Sequence, residues 1–199
     1  MGYPKALLPL GTGTFLTRIL ATIQKTGLPS SFVVLGKAAP IIQPRIRQWH
    51  AKVLINPDPS QGQLSSIKLA LSHLELDFNA CLIWPVDQPA ISERLVLDLI
   101  QLFIDSRARI VLPTCGNKRG HPAIFDRILF RELMAAPLQE GPKEVLLRHR
   151  QETATLPTDE LGTIQDIDTP EDYYALTGEM PDSALARAAN DDLRLTNDD

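Results

Sequence analysis

The 199-residue chain has the apolar content of a globular protein and a formal net charge of −4. This charge argues against a general nucleic-acid binder, because such proteins usually present a basic surface. Two cysteines, Cys81 and Cys115, are too few for a disulfide framework and lack metal-ligand spacing. With no signal sequence and no apolar run long enough to cross a bilayer, we expect a cytoplasmic protein without a membrane partner.

The predicted elements begin with a helix over 15–25, where apolar residues recur at helical spacing. The elements that follow are strand 31–36, helix 41–49, strand 52–57, a helix with Leu64, Ile67, Leu71 and Leu74 on one stripe, strand 80–85, helix 92–105 and strand 109–113. Next come a loop leading into a fifth strand over 116–125, helices over 126–134 and 143–150, strand-like pieces over 153–157 and 162–168, and a last helix after Thr169.

Strands that alternate with helices in this way predict βαβ units and a mostly parallel sheet in one α/β domain over 1–177. From Gly178 onward the composition changes to small, polar and acidic residues. We therefore expect 178–199 to be an acidic, mobile tail.

Two aspartates follow predicted strands, at the edge of an α/β sheet where ligands bind. Asp87 lies between Pro85 and Pro89, and Asp168 precedes the last helix. Each also has an ordinary structural explanation, since Asp87 can hydrogen-bond its own turn and Asp168 can favour the helix dipole. Together they form a plausible two-carboxylate clamp for Mg²⁺ in phosphoryl or nucleotidyl transfer.

Two further segments could bind anionic ligands. Gly62 and Ser65–Ser66 stand at a predicted helix N-terminus, where amides, hydroxyls and the helix dipole suit a nucleotide, although ordinary capping also explains them. Lys118, Arg119 and His121 surround Gly120 and precede Pro122; they could hold an anionic substrate or form a solvated basic loop.

Five motifs occur in order over 1–176: MGYPKALLPL, NPDPSQGQLSSIKLAL, VDQP, RGHPAIF and DIDTPEDY. Together they resemble the molybdenum-cofactor nucleotidyltransferases, and most of all the cytidylyltransferase branch. The resemblance implies a Rossmann-like three-layer α/β sandwich of the nucleotide-diphospho-sugar transferase type. It also implies transfer of a nucleoside monophosphate, CMP from CTP in that branch, onto the phosphate of molybdopterin with release of pyrophosphate.

The same resemblance implies roles for individual residues. Lys5 would neutralise triphosphate charge, Asp87 and Asp168 would bind Mg²⁺ or Mn²⁺, and Gly62 with Ser65 and Ser66 would embrace the nucleotide. Arg119, Gly120, His121 and Pro122 would form the pterin-side loop. A molybdoenzyme that receives the product is a further implied partner.

In one respect the sequence departs from the family pattern. The family begins with a strand and a glycine-rich loop with an arginine, which lead directly into a methionine-glycine-x-proline-lysine segment, and this sequence starts at that methionine. Either the start is misassigned or the truncation is real, and a misassigned start is the favoured explanation, because loss of a central strand would expose two sheet edges.

Two alternatives to this function stay open. The chain could bind molybdopterin or a molybdoenzyme without catalysis, or it could transfer the nucleotide to another phosphorylated metabolite.

Overall fold

The computed structural model describes residues 3–74, 78–139 and 141–187. The chain begins with a 3₁₀ turn, Lys5–Leu7, and a short hairpin of β1 (Pro9–Leu10) and β2 (Gly13–Thr14). The other strands are β3 (Ser31–Leu35), β4 (Ala51–Ile55), β5 (Ala80–Ile83), β6 (Ile110–Cys115), β7 (Lys118–Arg119), β8 (Ala123–Asp126) and β9 (Thr153–Pro157). The helices are α1 (Phe15–Lys25), α2 (Ala39–Ile42), α3 (Gln63–Ser72), α4 (Glu93–Asp105), α5 (Phe130–Ala135), α6 (Lys143–Arg148) and α7 (Pro170–Thr177).

The strands form a parallel pair, β3–β4, and a larger sheet in the order β5-β8-β6, with β9 on β6. Since β8 is antiparallel to both β5 and β6, those two strands run in the same direction, and β9 runs parallel with them. Apart from β8 and the short β7, the larger sheet is therefore parallel in direction. The predicted mostly parallel α/β sheet is confirmed.

Helices cover both faces of the larger sheet. Cys81 packs with the apolar residues of α3, whereas Leu82, the next residue on β5, packs with those of α4. Side chains alternate across a strand, so α3 and α4 lie on opposite faces. These are the three layers of a helix–sheet–helix sandwich.

Most predicted elements lie within a few residues of the observed ones, but two predictions were wrong. The helix expected over 41–49 is only Ala39–Ile42, followed by a 3₁₀ turn, Gln43–Ile46, because Pro44 has no amide hydrogen to continue an α-helix. The strand-like piece expected over 162–168 is a 3₁₀ turn, Leu161–Thr163, followed by irregular backbone.

The predicted tail is described only in part, because 188–199 lie outside the described residues. Residues 181–187 are helical, and Ala184 is fully buried in a cluster with Leu8, Phe15 and Tyr173. The first part of the predicted tail therefore packs on the domain. In the described part of the chain, no helix has both the length and the apolar character needed to span a membrane.

Candidate active site

The segment after β5 and the segment before α7 are held against each other. The Asp87 carbonyl accepts a hydrogen bond from the Ile167 amide at 2.9 Å. The Trp84 indole N–H donates to the Gln88 carbonyl at 2.9 Å and fixes the turn that carries Asp87. The bond from Ile167 to Asp87 thus joins two aspartate-bearing segments that lie about eighty residues apart in the sequence.

Lys5 lies between the two predicted aspartates. Its Nζ is 3.6 Å from Asp87 Oδ2 and makes a direct ion pair with Asp168 Oδ1. The Lys5 and Asp87 side chains are 27% and 29% exposed, whereas that of Asp168 is 61% exposed. Buried Ala6 and Leu7 anchor the 3₁₀ turn that presents Lys5. The structure thus places the predicted lysine and both predicted carboxylates in one group.

Asp87 is electrostatically the most unusual member of this group. Burial raises the pKa of its carboxyl group; Lys5 opposes that shift, and the nearby Asp166 and Asp168 reinforce it. Oδ1 of Asp87 is buried and has no hydrogen-bond partner in the described part of the chain. A buried carboxylate oxygen without a partner is costly, so this oxygen is available for a ligand.

The donor set fits a hard divalent cation. Two carboxylates, one of which has an unpartnered oxygen, are suitable for Mg²⁺ or Mn²⁺, since such ions take one or two carboxylates and complete their shell with water and substrate phosphates. Among residues 3–74, 78–139 and 141–187, no cluster of three or more His, Cys, Asp or Glu side chains forms an all-protein cage.

Gln88 and Asp166 are two polar residues near Asp87 that the sequence analysis did not single out. Gln88 is 4% exposed, and its Nε2 donates to Asp166 Oδ1 at 2.7 Å. The Asp166 carboxylate also interacts electrostatically with His121. Burial lowers the pKa of the His121 imidazole, and the negative charges of Asp166 and Asp87 oppose that shift. Gln88 directly follows Asp87 and Asp166 lies two residues before Asp168, so both stand inside quoted motifs.

The predicted nucleotide segment is organised by Asn56, another residue that sequence reasoning missed. Asn56 is buried at the end of β4, and its Nδ2 donates to Ser65 Oγ at 2.8 Å and to Ser66 Oγ at 3.0 Å. Gly62 has φ +83°, a left-handed conformation that favours glycine, and its carbonyl accepts from Ser65 Oγ at 2.7 Å. Both hydroxyls therefore hold the start of α3 in place.

The predicted loop around Gly120 differs from expectation, because Lys118 and Arg119 form strand β7, paired with Thr114 and Cys115 of β6. Gly120 has little room, since a Cβ there would lie 2.4 Å from the Thr163 carbonyl oxygen. The hairpin is thereby pressed against the segment that leads to Asp166 and Asp168. Arg119 is exposed and Pro122 is buried.

A cavity of about 900 Å³ opens beside this site, and Ser66, Asp87, His121 and Asp166 contribute to its lining. Residues from four of the five quoted motifs thus face one space. The structure does not bring every predicted site residue into this cavity, because its lining does not include Lys5, Gly62, Ser65, Arg119, Gly120, Pro122 or Asp168.

Comparison with known proteins identifies the protein family to which this chain belongs. Residues 1–153 match the MobA-like NTP transferase domain, and the chain belongs to that family. It is accordingly an enzyme of the nucleotidyltransferase class, and the resemblance drawn from the five motifs is confirmed at this level.

Three curated relatives differ in their described activities. A probable molybdenum cofactor guanylyltransferase of Rhodopirellula baltica is 33% identical over 114 residues, which are 56% of this chain and 54% of the relative, so this match spans about half of that protein. The molybdenum cofactor cytidylyltransferase of Escherichia coli is 26% identical over 175 residues, 87% of this chain and 86% of the relative. Nicotine blue oxidoreductase of Paenarthrobacter nicotinovorans is 28% identical over 184 residues, 87% of each chain.

Solved structures confirm the fold. Rv0371c of Mycobacterium tuberculosis superimposes with a TM-score of 0.80 at 24% identity, covering 90% of this chain and 91% of that one. A manganese complex of the same mycobacterial protein superimposes with a TM-score of 0.76 at 23% identity, covering 89% and 92%. Since one fold supports several activities, the substrate must be argued from the site.

Proposed function

We propose that this chain transfers CMP from CTP to the terminal phosphate of molybdopterin and releases pyrophosphate, with Mg²⁺ or Mn²⁺ as cofactor. The observation that carries this proposal is the position of Lys5 between Asp87 and Asp168. A cation next to paired carboxylates at the edge of an α/β sheet suits a reaction whose main demand is the neutralisation of phosphate charge.

In the proposed reaction, a phosphate oxygen of the pterin attacks the α-phosphorus of the nucleotide in line. The bond between the α-phosphorus and the α,β-bridging oxygen breaks, and pyrophosphate leaves with the electron pair. A divalent cation supplies electrostatic stabilisation of the phosphates when it is bound, and Asp87 and Asp168 are the residues that would hold it.

Lys5 has a second part in this scheme. Its ammonium group neutralises the two carboxylates in the free enzyme. With a nucleotide bound, the same ammonium group would neutralise phosphate charge and would stabilise charge developing on the leaving group. His121, whose pKa is lowered by burial, offers a mainly neutral imidazole to the acceptor side of the cavity.

Two of the three named relatives are molybdenum cofactor transferases, which supports the choice of acceptor and leaves two choices of base. The cytidylyltransferase matches along most of its length, whereas the guanylyltransferase matches over about half. CTP is therefore the favoured donor and GTP the competing one. We place the reaction in the cytoplasm, with a recipient molybdoenzyme as the partner that takes the product, and without a role for nucleic acid or membranes.

The test is a competition experiment. The protein is incubated with Mg²⁺, molybdopterin and equal concentrations of CTP, GTP and ATP, and the products are identified by mass spectrometry. The proposal predicts the cytosine dinucleotide as the main product. A guanine product would correct the base, nucleotide transfer to another phosphorylated acceptor in a parallel panel would correct the substrate, and pterin binding without pyrophosphate release would favour a binding protein.

A further inference from the structure

Residues 160–163, which we call the bridge segment, lie outside all five motifs quoted from the sequence. They consist of Glu160 and the 3₁₀ turn Leu161–Thr163 that follows it, and they stand between β9 and the aspartates of the last motif. None of these residues lines the large cavity. The bridge segment nevertheless contacts the chain on both sides of the site, namely the turn after β5 and the hairpin that contains β7.

The side chain of Glu160 binds the N-terminal end of α4. Glu160 Oε2 accepts a hydrogen bond from the Ser92 amide at 2.8 Å, and Oε1 accepts one from the Ser92 hydroxyl. Ser92 Oγ in turn accepts from the Leu95 amide at 3.1 Å and caps α4. One residue thereby occupies both carboxylate oxygens of Glu160, whose negative charge lies where the dipole of α4 favours it.

The backbone of Glu160 is held by Thr163. The Glu160 carbonyl accepts from the Thr163 amide at 3.1 Å and from the Thr163 hydroxyl at 2.8 Å. Thr163 is fully buried, so water does not compete for these bonds. Glu160 therefore holds α4 with its side chain and Thr163 with its carbonyl group, and it couples the positions of the two.

Thr163 holds the hairpin that carries His121. The His121 amide donates to the Thr163 carbonyl at 2.8 Å. Gly120 lies so close to the same carbonyl that a Cβ atom there would be 2.4 Å from its oxygen. A contact this tight leaves the backbone of Gly120 and His121 little freedom to shift relative to Thr163. The bridge segment therefore sets the position of the His121 backbone.

A second close contact joins the bridge segment to the turn that carries Asp87. A Cβ atom at Gly162 would lie 2.1 Å from the carbonyl oxygen of Ala90, which follows Asp87 by three residues. Glycine is required there, because a side chain would prevent the two backbones from approaching so closely. The bridge segment is thus packed between the Asp87 turn and the His121 hairpin, and it fixes the spacing between them.

We propose that Glu160 is a positioning residue for the transfer reaction: by holding the bridge segment on α4, it sets the distance between His121 and Asp87 and thereby the fit of the acceptor phosphate. This inference rests on the proposed function, in which His121 lies on the acceptor side of the cavity. Both Asp87 and Asp166 are within electrostatic reach of the His121 imidazole, so a shift of its backbone changes the charges that the acceptor meets.

The nucleotide side of the site has an anchor of its own. Asn56 holds Ser65 and Ser66 at the start of α3. In the described part of the chain, no hydrogen bond connects these three residues to the bridge segment. Loss of the Glu160 carboxylate should therefore affect the acceptor and leave the nucleotide largely unaffected. A role limited to the stability of α4 would not discriminate between the two substrates.

Amide hydrogen exchange and steady-state kinetics test this proposal together. Glu160→Ala removes both acceptor oxygens, and Glu160→Gln keeps the size and one of them. Asp126→Ala is the matched control, because Asp126 Oδ1 accepts from the Ile128 amide at 2.8 Å at the far end of β8 from His121. This variant also loses a carboxylate that holds a backbone amide. Thermal unfolding verifies that every variant is folded at the assay temperature.

The proposal predicts that the His121 amide exchanges about tenfold or more faster in Glu160→Ala than in the parent, with an intermediate rate in Glu160→Gln and parental rates in β3. In Glu160→Ala, the KM for molybdopterin should rise about tenfold while the KM for CTP changes by less than about twofold. Asp126→Ala should match the parent in His121 exchange and in both KM values.

A His121 amide that exchanges at the parental rate in folded Glu160→Ala would overturn the proposal, whatever reaction the enzyme catalyses. Faster exchange at His121 with equal increases in both KM values would also overturn it, because Glu160 would then only stabilise the fold. A parent protein that transfers no nucleotide to any acceptor would refute the proposed function instead, and exchange at His121 would then decide whether Glu160 holds this hairpin.

Discussion

Lys5 shows how one side chain can serve both the free and the occupied site. In the free enzyme it separates two carboxylates that would otherwise repel each other.

The Lys5→Ala substitution removes this charge, and we expect kcat/KM for the nucleotide to fall about 10- to 100-fold, which corresponds to the loss of one charge-assisted contact. Lys5→Arg is the matched control that keeps the charge. Initial rates at several nucleotide concentrations measure the effect, and unchanged rates for Lys5→Ala would remove Lys5 from the mechanism.

The raised pKa of Asp87 predicts how the stability of the folded state depends on pH. Its pKa is raised above the ordinary value of 3.8 in the folded state, mainly by burial. The folded state therefore holds this proton to higher pH than the unfolded state, and the stability that Asp87 contributes is largest below 3.8 and is lost as the pH rises through the raised pKa.

Asp87→Asn should accordingly stabilise the protein at pH 7 while it abolishes activity. A gain of ~1 kcal/mol would raise Tm by about 2–4 °C in a domain of this size. The gain should shrink as the pH is lowered towards 5. Thermal unfolding between pH 5 and 7.5 measures it, and a variant that is less stable than the parent at pH 7 would contradict this electrostatic account.

The sequence pointed to some site residues and not to others, for a physical reason. Asp87 and Asp168 could be found because both follow strand-like or helix-capping patterns at one edge of the predicted sheet. Asn56, Gln88 and Asp166 could not, because their roles depend on contacts across the fold: Asn56 reaches the start of α3, and Gln88 reaches Asp166 over 78 positions. No local pattern encodes such contacts.

At the scale of elements, α7 presents Asp168 through its N-terminal capping box. Thr169 Oγ1 accepts from the Asp172 amide at 3.1 Å, and Asp172 Oδ2 accepts from the amides of Thr169 at 2.9 Å and Asp168 at 3.2 Å. Thr169→Ala should cost ~1 kcal/mol of unfolding free energy, and it should raise the Mg²⁺ concentration needed for half-maximal rate because Asp168 loses its fixed position.

Thr169→Ser is the matched control, since it retains the capping hydroxyl. Urea denaturation and metal titration of the two variants provide the two readouts. If Thr169→Ala and Thr169→Ser required the same Mg²⁺ concentration, the cap would have no part in positioning the carboxylate.

A second group of charges connects α5, α6 and the start of β9. His149 contacts Glu152 Oε2 at 2.6 Å through Nδ1 and Glu132 Oε2 at 2.7 Å through Nε2. Both hydrogen bonds raise the pKa of His149 above its ordinary value of 6.5. The stability that His149 contributes is thus fully present below 6.5 and is lost as the pH rises through the raised pKa.

His149→Gln should therefore be less stable than the parent at pH 6, by at most about 1 kcal/mol, because its partner Glu152 is 43% exposed and solvent screens the pair. The difference should become smaller above the raised pKa. Urea midpoints from pH 6 to 9 measure it. A difference that grows with pH would reverse the sign of this linkage.

The outcome for individual elements shows where local patterns suffice. The bounds of α1, Phe15–Lys25, match the prediction because helical apolar spacing, the Thr14 cap and Gly27 all agree. The prediction for 162–168 was wrong, because Ile164 and Ile167 suggest an apolar strand. The backbone there makes tertiary hydrogen bonds instead of strand pairing: the His121 amide donates to the Thr163 carbonyl, and the Ile167 amide donates to the Asp87 carbonyl. Strand assignments of short segments depend on partners that a single sequence does not reveal.

At the scale of the whole molecule, alternating strands and helices predicted the sheet and its covering helices, because each βαβ crossover constrains its neighbours. The order of the strands could not be obtained in the same way. β8 enters between β5 and β6 against their direction, and this position is set by the packing of apolar residues such as Ile124 and Phe125 on both faces.

The most direct test of the central claim is the initial rate of pyrophosphate release with CTP, Mg²⁺ and molybdopterin, for the parent protein, Asp87→Asn and Asp98→Asn. Asp98 pairs with Arg94 on the surface of α4 and serves as the control for loss of one carboxylate. The account predicts release that requires molybdopterin, a loss of about a thousandfold or more in Asp87→Asn, and a parental rate in Asp98→Asn. Pyrophosphate release by Asp87→Asn at the parental rate would contradict it.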